Sequence, residues 1–171
     1  MINKKILSQI DLYYGSIDMP EFFEIDRENI FHNILKHQTK NLKGVPFTRE
    51  WDKIVTYIKE FAQLKHNLII VEKDVLSDVY FPGQQSESLL QINPVDLKHS
   101  PDYVMLYGVN VAKDSCNVYI EYDDNRRKGR SWVIPLNNND FVMFPSTQRY
   151  HITKNTSQQL NSILTVTYEL G

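Results

Sequence analysis

The hydrophobic rhythm of this chain changes once, near Asn67, and that change limits what it can fold into. Before it, apolar residues recur at helical spacing; after it, they alternate. Thr48 is placed to cap a helix whose Trp51, Ile54, Val55, Ile58, Phe61 and Leu64 make one apolar stripe, with Glu50 in its first turn. An earlier helix is predicted over residues 28–37, capped by Asp26, with Ile30, Phe31, Ile34 and Leu35 at matching spacing. Beyond Asn67 the alternation predicts strands at 68–72, 77–81, 88–92, 103–111, 117–123, 131–135, 140–144, 150–154 and 161–169. Residues 124–130 read as a hairpin loop, and Asn137-Asn138-Asn139-Asp140 as a turn that tolerates left-handed backbone. Many short antiparallel strands point to a sandwich or jelly roll. The greasy helix face needs a sheet to cover it. The expectation is an α+β fold in one domain, residues 1–171. Within it, residues 1–66 are mainly helical and pack on a sandwich built from 67–171.

A chain of 171 residues buries enough surface to need neither disulfide nor metal for its core. Its single cysteine, Cys116, excludes an intrachain disulfide and a cysteine-cluster metal site, and favours a reducing compartment. No apolar run approaches the roughly 20 residues that a bilayer-spanning helix requires. The net charge of -2 supplies no global field for nucleic acid. Met1–Leu7 opens like a leader, but Ser8, Gln9 and Asp11 break it, so no secretion signal is expected. Asn155-Thr156-Ser157 matches a glycosylation sequon and is read as a plain turn. Arg126, Arg127, Lys128 and Arg130 form the one basic cluster, with Asp123 and Asp124 beside it; a solvated turn is the expected reading. His32 and His37 stand five apart, a poor spacing for a shared metal, and His66 suits a helix C-terminus. No P-loop, Rossmann glycine pattern or G-x-S-x-G elbow is present.

The run Asn139-Asp140-Phe141-Val142-Met143-Phe144-Pro145-Ser146, followed by Thr153-Lys154-Asn155-Thr156-Ser157 and a β-rich end, resembles the C-terminal strands of the prolyl-hydroxylase-like 2-oxoglutarate/Fe(II) oxygenases. Tyr107-Gly108-Val109-Asn110-Val111 resembles a strand further upstream in that family, and the likeness covers about residues 95–169. It implies a double-stranded β-helix (jelly roll) with N-terminal helices packed on one sheet. Similar sequences occur in tailed phages of marine bacteria. In the family, two histidines and a carboxylate hold ferrous iron, and a basic residue clamps the distal carboxylate of 2-oxoglutarate. The first two ligands sit two residues apart on a strand, so both point inward.

Laid on this chain without gaps, that pattern is broken. The first histidine falls on His99, but the second ligand falls on Pro101, the distal histidine on Tyr150 and the clamp on Asn161. Asp102 and His151 are each one residue away, and one residue along a strand is the opposite face. The favoured reading is therefore a degenerate active site with no catalytic residue and no cofactor. Such a protein would act through contacts with other proteins, either virion neck or tail components or copies of itself. No membrane or nucleic-acid partner is expected, and the location would be a virion or the host cytoplasm. The alternative is a 2-oxoglutarate/Fe(II) dioxygenase with shifted ligands: a bulge would bring His99, Asp102 and His151 onto iron, with Arg149 as the clamp. A third reading is a sugar- or peptide-binding sandwich that uses Tyr103, Tyr119 and Tyr122 as stacking faces.

Overall fold

The computed structural model describes residues 10–19, 23–40, 48–125 and 128–171, with side chains left out from 122 to 130. Arg126 and Arg127 lie outside the described residues, as do the side chains of Lys128, Arg130 and Tyr122.

Two helices form as their caps and stripes dictate. In α1 (Arg27–Thr39) the Asp26 carboxylate accepts from the Asn29 amide at 3.0 Å, and Ile30 and Ile34 are buried. In α2 (Arg49–His66) the Thr48 hydroxyl accepts from the Trp51 amide at 3.1 Å. Asn67 ends α2 in the left-handed region, at φ 52°, and its amide returns to the Gln63 carbonyl. The buried face of α2 is Trp51, Ile54, Val55, Ile58 and Ala62. Leu64, expected in the stripe, is 78% exposed. It lies six residues past Ile58, about 240° round the helix, so it faces away from the core.

The strands are β1 (Tyr13–Ser16), β2 (Ile70–Tyr80), β3 (Tyr103–Asn110), β4 (Asn117–Asn125), β5 (Lys128–Pro135), β6 (Asp140–Pro145), β7 (Tyr150–Ile152) and β8 (Asn161–Leu170). One sheet runs β1-β6-β3-β8-β2 and the other β5-β4-β7, every pair antiparallel. Three departures from expectation stand out. The N-terminal region contributes a strand as well as helices, because β1 pairs with β6 from Tyr13↔Met143 to Ser16↔Asp140. The two strands expected at 68–72 and 77–81 are one, since a bulge between Glu72 and Asp74 carries β2 through its charged middle. The strand expected at 88–92 is reduced to a single bridge, Leu89↔Tyr150.

Side-chain parity makes three layers. On one face of the five-stranded sheet, Met105, Tyr107, Phe141, Met143, Leu164 and Val166 pack against α1 and α2. On the other, Val104, Leu106, Val142, Phe144 and Ile163 meet Val118, Ile120, Ile134, Tyr150 and Ile152 of the three-stranded sheet. This second core fills a sandwich. The Asn137–Asn139 turn is pressed onto β3. Asn139 takes φ 66°, and the Asn137 carbonyl oxygen stands 2.0 Å from where a Cβ on Gly108 would sit. Only glycine leaves room for that approach.

Candidate functional site

The residues of the shifted metal set go three separate ways. The segment before β3 is a single turn of 3-10 helix, Leu97–His99, and not a strand, so strand counting does not reach His99. The His99 ring is exposed and its Nδ1 faces the Asp96 carboxylate at 2.9 Å. The Asp102 carboxylate accepts from the Leu170 amide at 2.8 Å and fastens the end of β8. His151 points out of the sandwich and stacks on Tyr119, with ring centroids 4.7 Å apart. The pairing of β7 with β4 is unbroken, Ile152 on Val118, His151 on Tyr119 and Tyr150 on Ile120, so no bulge turns His151 inward. Arg149 is exposed, and its carbonyl accepts from the Glu121 amide. Among the described residues, no three His, Cys, Asp or Glu side chains gather where one metal ion could sit. The stacking-face reading fares no better: Tyr119 is covered by His151, and Tyr103 packs against the helical core.

The positions to which the pattern assigns ligands and clamp do structural work. The Pro101 carbonyl accepts from the Ser146 hydroxyl. Asn161 is fully buried; its Oδ1 accepts from the Ala112 amide at 3.1 Å, and its Nδ2 donates to Ser115 Oγ at 2.8 Å. Tyr150 is fully buried on the inner face of β7, edge-on to Phe144. Its hydroxyl accepts from Gln91 Nε2 at 2.7 Å and bonds with Thr165. Burial pushes the Tyr150 phenol up to about 12, with Gln91 pulling the other way.

Tyr150 lines a cleft of about 340 Å³ shared by β2, β8, β7 and the Ser86–Gln91 segment. Alternation along β2 sends Leu76, Asp78 and Tyr80 to this side, and Thr165 answers from β8 opposite Leu76. The segment from Ser86 to Gln91 forms the other wall. Leu89 and Tyr150 exchange both backbone hydrogen bonds, at 2.7 and 3.0 Å, and Ser86 Oγ accepts from the Ile152 amide. Glu87 stands at the rim. Solvent reaches Asp78 along the cleft, yet the protein mass around it desolvates the carboxyl and pushes it above the usual Asp range. Burial raises the Tyr80 phenol far more, with the Asp78 charge adding to the shift.

This donor set does not suit the iron and co-substrate of the resembled family. The cleft around Tyr150 offers carboxylates, phenols and an amide, but no imidazole. No basic residue lines it, so nothing there would pair with the distal carboxylate of 2-oxoglutarate. Asp78 and Gln91 went unread in the sequence. The expected strand at 77–81 already puts Asp78 and Tyr80 on one side; the wall of residues 86–91 left no such mark, because a single bridge, Leu89↔Tyr150, joins it to the sheet.

No protein-family model matches the chain, and no curated protein matches it in sequence. Its structure does match known ones. A prolyl-4-hydroxylase from Pseudomonas putida superposes with a TM-score of 0.65 at 12% identity, over 92% of this chain and 87% of that one. The viral collagen prolyl hydroxylase of Paramecium bursaria Chlorella virus-1 gives 0.63 at 15% identity, over 91% and 95%. A non-heme alpha ketoglutarate dependent carbocyclase from nogalamycin biosynthesis gives 0.67 at 9% identity, over 92% and 79%. The chain has the fold of the 2-oxoglutarate/Fe(II) oxygenases. That is the α+β double-stranded β-helix expected above, with α1 and α2 packed on its larger sheet. At these identities the likeness is one of scaffold, and chemistry must be argued from the site.

Proposed function

We propose that this chain is an oxygenase-fold protein that works by non-covalent contact with other proteins and not by iron-dependent oxidation. The observation that carries the reading is the Tyr150–Gln91 hydrogen bond of 2.7 Å, at the point where the resemblance sets a metal-binding histidine. A phenol held near 12 is neutral at pH 7, and a neutral phenol with an amide is a poor exchange for imidazole at ferrous iron. Two sheet edges support the reading. Among the described residues β2 and β5 each end a sheet and have a strand partner on one side only, and Val71 and Leu76 are exposed along β2. Anaerobic titration with ferrous iron and 2-oxoglutarate tests the proposal. No metal-to-ligand charge-transfer band should form; a stoichiometric band overturns it.

A second reading is a 2-oxoglutarate/Fe(II) hydroxylase. The fold comparisons favour it over a purely structural role, since the matched proteins include prolyl hydroxylases aligned over nine-tenths of the chain. It needs His99, Asp102 and His151 to converge, with Arg149 as clamp, and so a rearrangement of both the 97–99 turn and β7. Iron-dependent conversion of 2-oxoglutarate to succinate, abolished by His99→Ala and by His151→Ala, would support it. Absence of turnover, or turnover indifferent to both substitutions, removes it.

A further inference from the structure

We infer that a second copy of this chain pairs antiparallel along β2, with Lys73 opposite Asp74 and Val71 opposite Leu76 across a two-fold axis. The pairing joins the two larger sheets into one. The inference rests on the contact reading above and deepens it by naming the partner. β2 is the longest strand among the described residues, and β8 is its strand partner on one side only. An edge of that kind is a template for another strand. A two-fold contact also needs a surface that complements itself, because each residue pair occurs twice. β2 meets that condition in its faces, its apolar side chains and its charges.

The bulge decides which registers match. Before it, Ile70 is buried in the helical core and Glu72 stands within the charge of Lys59 and Asp52 on α2. After it, Val75 and Val79 pack on that core, while Leu76 and Asp78 line the opposite face. Lys73, the extra residue, therefore switches odd and even between the two faces. Across the bulge, an odd residue must meet an even one for like faces to meet. Setting Lys73 opposite Asp74 satisfies this, and it brings Glu72 to Val75, Val71 to Leu76 and Ile70 to Ser77. Val71 and Leu76, 51% and 46% exposed, then cover each other. A slide of two residues either way sets Val71 against Asp74 or Asp78 instead. Opposite charges meet on both sides of the axis. The Lys73 amino group already donates to Glu169 and to the His99 carbonyl, which holds the side chain and leaves its third N–H for Asp74 of the second copy. A bulge ordinarily turns an edge away from strangers; here bulge meets bulge, and the two bends agree.

Sedimentation equilibrium of the full chain in EDTA-treated buffer reads the association apart from the iron titration, so the two readings fail separately. A monomer–dimer equilibrium is expected, weakened about tenfold or more by Asp74→Lys, which sets like charges against each other. Circular dichroism checks that this variant is folded. The register has its own test. The double variant Val71→Cys, Leu76→Cys should close into a covalent dimer on mild oxidation. Val71→Cys alone should not, because the two-fold sets the two copies of residue 71 far apart. A chain that stays monomeric up to millimolar concentration overturns the inference and leaves the contact reading to other partners. A dimer indifferent to Asp74→Lys overturns it, as does a dimer that the paired cysteines fail to lock, since either places the interface elsewhere.

Discussion

Substituting Gly108 by alanine tests how tightly the asparagine turn is keyed to β3. The new methyl would stand 2.0 Å from the Asn137 carbonyl oxygen, where real Cβ atoms essentially never come within 3.0 Å. Turn and strand must therefore separate by about 1 Å. Four hydrogen bonds span that seam, and a fifth ties the turn to Ile17. The Asn139 amide donates to the Gly108 carbonyl at 2.8 Å, Val111 N–H to Asn138 Oδ1 at 2.6 Å, and Asp114 N–H to Asn137 Oδ1 at 2.9 Å. The Tyr107 hydroxyl donates to Asn139 Oδ1 at 2.9 Å, and Asn139 Nδ2 to the Ile17 carbonyl at 2.6 Å. A 1 Å opening takes most of these beyond 3.5 Å. Losing two or three at about 1 kcal/mol each, with the buried Tyr107 hydroxyl orphaned as well, costs about 3 kcal/mol. That is a large part of a stability on the order of 5–15 kcal/mol. Urea unfolding followed by circular dichroism reads it directly, and Tm should fall by roughly 6–12 °C. Gly15 is the internal control, since a Cβ there meets only the Phe141 ring at 3.9 Å, and Gly15→Ala should leave stability within about 0.5 kcal/mol. If Gly108→Ala unfolds within about 1 kcal/mol of the wild type, the close approach is not what holds the turn.

Asn155→Ala should cost about 2–4 kcal/mol in the same assay. It removes two donations, to the Tyr80 and Gln159 carbonyls, and two acceptances, from Ser157 N–H and Oγ, inside a site 1% exposed. A loss below about 0.5 kcal/mol would deny the hub role. The Cys116 thiol is 2% exposed, and burial pushes it up to about 11 from 9.0. Ionisation alone should therefore slow iodoacetamide at pH 8 by roughly 100-fold against the unfolded chain; mass spectrometry showing comparable rates refutes this. Desolvation raises the Asp78 carboxyl in the folded state, so the fold binds its proton more readily than the unfolded chain does. Stability from this group rises as pH falls through the raised pKa and is lost as pH climbs back. Asp78→Asn should therefore melt above the wild type at pH 7, the gap closing below the ordinary Asp range. An equal or lower Tm at pH 7 contradicts that.

The strongly periodic elements were legible because burial imposes the period. α2 buries one face, so its apolar residues fall in step, while β3, β6 and β8 are buried on both faces and stand out as short, mostly apolar runs. β1 was not legible: three of its four residues are exposed, and pairing with β6, not pattern, makes it a strand. Lys73 and Asp74 looked like an interruption because a bulge leaves no mark in composition. At the site, the opposition of Tyr150 and His151 followed from parity. The cleft did not, since Asp78, Gln91 and Tyr150 come from three distant segments that only the β8–β2 pairing and the Leu89 bridge bring together.

β7 is only three residues long, yet it is gripped on both sides, by β4 along its length and by Leu89 at Tyr150. Losing one residue from the preceding turn would not deliver His151 to the interior unless both neighbours let go together. The shorter evolutionary road to an imidazole there is a single base change, since every tyrosine codon is one letter from a histidine codon. That His would inherit a hole cut for a larger ring and a Gln91 amide waiting for a hydroxyl, so the surroundings of position 150 resist a change that the genetic code makes easy.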